Sequence, residues 1–587
     1  MNFRLPSPNK MASACVLQWA PDSLYNTAIS ATVANYSVFR KDIQNLTESV
    51  QFDIFYKLYM KGNLYTLGTD LAEIDNFAKI LKVLDKRCLL HHCFQALIDH
   101  GAQVNEILAT EFCKRYQLSG HLNENERNKA IQLGTALASF FNESGWFFSS
   151  ERVYHTCRLL CDQDKTYSGL CKLLECNVRL LHVQNSSCKY REANETFKET
   201  FKILNILNQA NISVNKAMLY GECCGLFFAE SQYDQAYKYC NLAVQQLTPV
   251  LSPRTIIDVL RQCAKACVVK REFRKAGQLI KSAVQYASEH FGQRHPKYAD
   301  TLQDYGFYLL NVDSVAASVK VYQMALDIRL SVFGGNNFHV AVAHEDLAYA
   351  SYVHEYSSGN FKDAQRHAEK AIEILLKILP SDHLLLSSSK RVKALILEEI
   401  AIDNEDKSVR EPLLSEAKEL HVQSLNLAIN AFGESNVQTA KHYGNLGRLY
   451  QSMREFKLAE THHLKAIEIK ERLLGPDDYE VALSVGHLAS LYNYDMKYHM
   501  EAESLYKRSI EIGKKLFGAG YSGLEYDYKG LLRLYQSQGD RENMLHYSRI
   551  LQDWNRIRDH TNAIEVKPLD FSLDLSVQDL HKYVFNS

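Results

Sequence analysis

The sequence predicts an all-α protein: a right-handed α-solenoid of helical hairpins with a period near 42 residues, preceded by a separate helical segment. Three observations predict it. Small residues come in pairs seven apart, and the pairs recur along most of the chain. Their first members are Ser150, Ala193, Ala236, Ala276, Ser318, Ala364, Ala417, Ala459, Ala502 and Asn543, with partners running from Cys157 to Ile550. The successive steps are 43, 43, 40, 42, 46, 53, 42, 43 and 41 residues, a spacing that belongs to stacked repeats. Aromatic–glycine or Leu–Gly dipeptides punctuate the linkers at Phe291-Gly292, Phe333-Gly334, Phe432-Gly433, Leu474-Gly475 and Phe517-Gly518.

Each element follows from these observations. Residues seven apart on a helix differ by about 700°, so they share a face. A small side chain there lets a neighbouring helix approach to roughly 8–10 Å. Around Ala459 the unit reads in full. Tyr443, Leu446, Gly447 and Tyr450 stand at helical spacing, a turn follows over Gln451–Phe456, and a second helix runs from Lys457 to Leu473. Gly447 is small where two helix backbones are expected to meet. The linker glycines suit a left-handed C-cap with the preceding apolar residue packed over the last turn. Two units are long. One has a stretched turn at Tyr356-Ser357-Ser358-Gly359-Asn360, and the other carries a polar insertion, Asp403–Pro412, read as a rim loop. The pattern divides the chain into a flexible extension (1–18), a separate helical segment (19–125), the solenoid (126–558) and a flexible tail (559–587).

A solenoid buries its apolar faces only between neighbouring units, and 46% hydrophobic content with 11% aromatics supplies such a core. The net charge is −1 with no basic stretch, so no electrostatic footprint for nucleic acid appears. No run of 18 apolar residues exists to span a bilayer. The first ten residues hold two prolines and no apolar core, unlike a signal peptide, and Met11 offers an alternative start. Fourteen cysteines in that context read as reduced thiols of the cytoplasm or nucleus.

Candidate chemistry is sparse. Cys88, His91, His92 and Cys93 have metal-like types, but a helix over Phe77–Asp99 burying Cys88, Leu89 and Phe94 accounts for them, and no second ligand pair is present. Cys263 and Cys267 occupy core slots. Gly513-Lys514-Lys515 lacks the rest of a phosphate loop, and no G-x-S-x-G elbow occurs. No catalytic residue, metal or cofactor is expected. The concave face is the place to look for binding. Lys441, Asn445 and Arg448 share one face, where an amide clamps peptide backbone and two cations hold a carboxylate. Glu345, Asp346 and Tyr349 form an acidic counterpart, with Arg391 between them.

The helical hairpin around Ala459 resembles the tetratricopeptide repeat, in the longer form of kinesin light chains, whose linker His295-Pro296 also resembles. Ser23-Leu24-Tyr25-Asn26-Thr27-Ala28-Ile29-Ser30-Ala31-Thr32-Val33 resembles the Elongin-binding box of cullin–RING substrate receptors, with Ala28 where the cysteine usually sits and Val33 one place late. Leu46-Thr47-Glu48-Ser49-Val50-Gln51-Phe52-Asp53-Ile54 is similar to the cullin box, with Thr47 in place of its proline. The stretches Leu24–Ala31, Ala264–Phe273 and Val437–Gly447 resemble the amyloid protein-binding protein 2 family, over about Met11 to Asp559.

That resemblance implies a non-catalytic substrate receptor of an Elongin B/C–cullin ubiquitin ligase that reads carboxy-terminal degrons containing Arg and Gly. It also implies binding to the sorting tail of the amyloid precursor protein and association with microtubules, in cytoplasm and nucleus. On it, Ser23, Leu24, Ala28 and Val33 face Elongin C and Leu46, Val50 and Ile54 face the cullin. Lys441, Asn445, Arg448 and Arg391 then hold the substrate tail, whose Arg goes to Glu345 and Asp346. The alternative is a microtubule-associated cargo adaptor, although the amino-terminal segment lacks the sustained heptads that would join it to a motor.

Overall fold

The computed structural model describes residues 22–117, 122–356, 359–563, 568–569 and 579–580; the extension at 1–18 lies outside them. Two compact units divide after Lys86. The boundary expected at 125 therefore shifts, and the helices Arg87–Asp99 and Val104–Gln117 belong to the second unit.

In the first unit, short helices Leu24–Ala34, Tyr36–Ile43, Glu48–Met60, Leu64–Leu71 and Ile74–Ile80 close on Val33, Ile43, Phe52, Ile54, Leu58, Leu67 and Phe77. One buried acid organises its polar side: Asp70 accepts hydrogen bonds from the Tyr36 hydroxyl and, at 2.7 Å, from Arg40 Nε.

The second unit contains, among the described residues, ten helical hairpins. Hairpins 1–5 are Glu124–Glu143 with Phe147–Asp162, Tyr167–Ser186 with Tyr190–Gln209, Ala217–Ala229 with Tyr233–Gln245, Pro253–Val269 with Phe273–Phe291, and Pro296–Asn311 with Val315–Phe333. Hairpins 6–10 are Phe338–Glu355 with Lys362–Ile378, Leu385–Ile402 with Lys407–Phe432, Val437–Ser452 with Phe456–Leu474, Tyr479–Leu491 with His499–Phe517, and Leu524–Gln538 with Arg541–Ala563. Each second helix carries one small-residue pair. The first nine pairs are buried. Asn543 and Ile550 are only half-buried, because among the described residues no further hairpin packs on them. Where the first member is serine, its hydroxyl bonds the carbonyl twelve residues back: Ser150 to Ala138 and Ser318 to Gly306, both at 2.8 Å.

Several local expectations are corrected. Gly447 meets a side chain, not a backbone: a Cβ there would lie 2.8 Å from the His463 ring, and Gly306 faces the Tyr322 ring at the same distance. The linker glycines have positive φ but ψ near 180°, as at Gly433 (φ 79°, ψ 176°) and Gly475 (φ 88°, ψ 161°). That region is open essentially to glycine alone, and it sends the chain out extended toward the next hairpin instead of curling it into a left-handed cap. The insertion at Asp403–Pro412 is mostly helical, since Asp406 caps a helix that begins at Lys407 and contains Pro412. Pro412, the sixth residue of that helix, cannot donate to the Ser408 carbonyl and crowds it, so the helix absorbs an interior proline in its second turn. The helix expected over Phe77–Asp99 breaks after Ile80 and resumes at Arg87, burying His91, Cys93 and Phe94 while Leu89 stays 40% exposed.

The flexible tail expected over 559–587 is corrected where the structure describes that range. The last helix runs to Ala563, the Tyr305 hydroxyl donates to the Pro568 carbonyl at 2.7 Å, and Leu580 is buried in the core built by hairpins 3–5.

The solenoid coils back on itself. The turn of each of hairpins 1–5 touches the start of the hairpin five places on: Asn337 Nδ2 donates to the Ser144 carbonyl at 2.8 Å, Asn436 Nδ2 to the Glu230 carbonyl at 2.9 Å, and Arg271 pairs with Asp478 at 3.2 Å. Five hairpins therefore make one superhelical turn, and the second turn rests on the first.

Candidate peptide-binding lumen

The first helix of each hairpin lines the inside of the coil, because the small-residue face of the second helix packs against it from outside. Counting from each helix cap locates the inward positions. Nine residues after Asn337, Asn436 and Asp478 stand Asp346, Asn445 and His487, and all three line one cavity of 2320 Å³. Lys441, Arg448, Glu345, Tyr349 and Arg391 line it too, so the structure brings together every residue expected to hold a peptide.

Their partners were not expected. Lys441 Nζ lies 3.0 Å from Glu480, which Lys470 also approaches at 3.1 Å. Burial works against the Lys441 ammonium, yet Glu480 outweighs it and raises its pKa; Glu480 in turn is held far below the usual carboxylate range by the two lysines against the opposing effect of burial. Arg448 Nη2 sits 2.5 Å from Glu399 and 3.6 Å from Glu398, and the Tyr352 hydroxyl donates to Glu399 at 3.2 Å. Both cations thus arrive already neutralised by acids on hairpins 7 and 9. Asn445 keeps a buried side-chain nitrogen without a hydrogen-bond partner among the described residues.

Hairpin 6 differs. Glu345 accepts only from the Ser388 hydroxyl and Asp346 from the Gln303 amide. Among the described residues, no Lys, Arg or His nitrogen comes within 4 Å of either acid. Burial raises the pKa of both, and for Asp346 the neighbouring Glu345 raises it further. Arg391 lies on the adjacent helix with its guanidinium 5.0 Å from the Tyr349 ring centre, and among the described residues no carboxylate approaches it within 4 Å. Among the described residues the lumen therefore offers an acid pair that no cation contacts beside a cation that no acid contacts; Arg391 favours the charge of Glu345, and Arg329 that of Asp346, only from a distance and too weakly to offset burial. A guanidinium or ammonium suits the first and a carboxylate the second.

The docking-segment residues fall into two sets. The Ser23 hydroxyl caps its helix by accepting from the Asn26 amide at 3.1 Å, Leu24 is 90% exposed, and Ala28 and Leu46 are also exposed, with Val50 half-buried. Val33 and Ile54, by contrast, are buried in the core of their own unit. As folded, they support the outward residues from behind instead of presenting to a partner.

Among the described residues, no cluster of three or more His, Cys, Asp or Glu side chains is arranged to hold a metal, and no helix is long and apolar enough to cross a membrane. His91 bonds the Ser144 hydroxyl at 2.6 Å and stacks on Phe140; Cys263 and Cys267 are fully buried.

A family model described as "Tetratricopeptide repeat" matches residues 414–472. Two relatives, each titled "Amyloid protein-binding protein 2", from Mus musculus and Rattus norvegicus, are 58% identical over 557 residues, covering 94% of this chain and 95% of theirs. Among solved structures, BtubC from P. vanneervenii is 20% identical over 45% of this chain and 96% of its own, with a TM-score of 0.29. A Rap protein complexed with competence and sporulation factor is 14% identical over 59% of this chain and 99% of its own, with a TM-score of 0.40.

Proposed function

Because the chain belongs to the amyloid protein-binding protein 2 family, we propose that this tetratricopeptide adaptor is the substrate receptor of a cullin–RING ubiquitin ligase and captures the carboxy-terminal tails of its substrates in the lumen. Its role is proximity: it holds a tail while partner subunits carry the ubiquitin chemistry. One observation carries the tail-binding half of this reading, namely the adjacency of the unpaired Glu345–Asp346 acids and the unpaired Arg391. A tail that ends in a carboxylate and contains an arginine satisfies both sites at once. Lys441 and Arg448, engaged by glutamates, shape the wall, and the Asn445 amide is placed to bond peptide backbone.

The docking half rests on the exposed edge of the first unit, where Ser23, Leu24, Ala28, Leu46 and Val50 would meet Elongin B/C and a cullin. The second reading is a cargo adaptor of the cytoplasm. The relatives' name favours binding of an amyloid protein, whose tail the same lumen would take, and microtubule association would follow from that role.

Two measurements separate the halves. Titration of a peptide carrying Arg and Gly at its carboxy-terminal end should show at least tenfold weaker binding to Glu345→Gln/Asp346→Asn and to Arg391→Ala. Unchanged affinity in both variants would remove the lumen site. Co-purification with Elongin B/C should succeed for wild type and fail for Leu24→Asp. Absence of Elongin from wild type would leave the cargo adaptor as the standing reading.

A further inference from the structure

We infer that the lumen is shut along its side by a seam between the two superhelical turns, so that a ligand must thread in by a free chain end. The inference rests on the lumen-binding reading and adds the route of entry: end first along the lumen, not sideways through its wall.

The seam is regular. All five turns of hairpins 1–5 meet the start of the hairpin five places on. Beyond the contacts at Asn337, Asn436 and Asp478, the Ser187 backbone bonds His383. Asp313 accepts from the Ser522 backbone amide at 2.9 Å and from Arg558 Nη1 at 2.7 Å. A second, apolar row runs beside the polar one: Phe147 on Phe338, Tyr190 on Phe432 and Phe273 on Phe517, with ring centres 4.8, 5.5 and 5.6 Å apart. The aromatic–glycine dipeptides at 432 and 517 thus pack across the seam instead of over their own last turn. Tyr190, Phe432, Asp313, Ser522 and Arg558 also line the cavity, so the seam is part of its wall.

Arg271 (φ 61°) and Asp313 (φ 63°) hold left-handed turn conformations that glycine adopts more easily. Arg454 and Lys497 share that conformation in hairpins 8 and 9 without a seam contact among the described residues, so the turn geometry belongs to the hairpin and the side chains placed on it supply the seam bonds. With the side closed, a loop would have to pass two strands through the open end, whereas a terminus passes one.

The test uses the full chain and Arg271→Gly/Asp313→Gly, substitutions that suit the left-handed turns while cutting two seam contacts. Three probes share one Arg- and Gly-containing sequence: a linear peptide with a free carboxylate, the same peptide amidated, and a head-to-tail ring. Wild type should bind the amidated peptide at least tenfold more tightly than the ring. The double variant should narrow that gap and speed association and dissociation of the linear peptide about tenfold. Should the double variant not fold, Asn436→Ala takes its place. Hydrogen exchange, which needs no ligand, should find the Ser522 amide protected in wild type and exposed in the variant. An unprotected Ser522 amide in wild type would overturn the seam, and equal binding of ring and amidated peptide would overturn end-first entry. If no probe binds wild type, the lumen reading falls and the entry route with it, while exchange at Ser522 still decides the seam.

Discussion

Asp304 and Asp346 occupy the same position, nine residues past the helix cap, on the first helices of adjacent hairpins, and they live in opposite electrostatic surroundings. In the first superhelical turn Asp304 meets Arg261 Nε at 2.7 Å and Lys265 at 3.7 Å. Arg261 also reaches Asp258 and Asp300, Lys297 bridges the same two acids, and Arg329 lies 2.9 Å from Asp300. In the second turn Asp346 has one neutral amide, a like-charged neighbour and only the more distant Arg329 to favour its charge. A recessed acid normally keeps a cation; one left without is a vacancy for a ligand, and perturbed groups of this kind concentrate at functional sites. The two turns share one architecture and divide the labour: the first turn ties its acids to cations, and the second leaves Glu345, Asp346 and Arg391 outside any ion pair among the described residues.

Removing the first turn's central cation should break the comparison most severely. Arg261→Leu leaves three recessed carboxylates short of a partner, and loss of one member of such a buried network costs about 3–5 kcal/mol. Chemical denaturation should show that loss, whereas Arg391→Leu, which strands no acid, should change stability far less. Equal losses would mean that Arg391 is as structural as Arg261.

The second prediction concerns pH. Asp527, on the lumen wall of hairpin 10, is buried; among the described residues its hydrogen-bond partner is the Ser509 hydroxyl at 2.7 Å, and burial pushes its pKa up to about 7. A carboxyl with a raised folded pKa binds its proton more tightly in the folded state. Its contribution is therefore complete below the unfolded value of about 4 and is lost as pH rises toward 7. Asp300 has the opposite sign. Arg261, Lys297 and Arg329 outweigh burial and hold it far below the usual range, so its contribution is present above about pH 4 and fades as pH falls below that. Asp527→Asn should flatten the decline between pH 4 and 7 and gain up to about 3 kcal/mol at pH 8. An unchanged stability–pH profile in Asp527→Asn would remove the uncompensated acid from this wall.

How much of this was legible in the sequence follows from the range of each interaction. The small-residue pairs are local, and they located all ten hairpins. Lys441, Asn445 and Arg448 were legible as one face because helical spacing alone sets it. Glu480, Glu398 and Glu399 were not, since pairing across neighbouring hairpins depends on how those helices are rotated and stacked. Counting nine from each cap would have found the inward ring, including Asp304 and His487. The seam was the least legible feature, because it joins residues about 200 apart whose meeting depends on five hairpins closing a turn. Its trace, aromatic residues before the linker glycines, was visible but was read as local capping. Val33 and Ile54 show the same limit in the first unit: a linear box does not reveal which of its apolar residues the unit keeps for itself.

Packing supplies the control that makes the charge contrast specific. Gly306 in the first turn and Gly447 in the second face rings at the same 2.8 Å, Tyr322 and His463 respectively, both buried. An added methyl must displace a ring in either place, and overpacking of this kind costs about 1–3 kcal/mol. Gly306→Ala and Gly447→Ala should therefore destabilise to a similar degree. Gly444→Ala, whose Cβ would find its nearest neighbour at 3.8 Å, should instead gain up to about 1 kcal/mol from helix propensity. Similar losses at 306 and 447 would locate the difference between the turns in their charges. A much smaller loss at 447 would mean that the second turn is also more loosely packed, and its uncompensated acids would then be one aspect of a generally softer half.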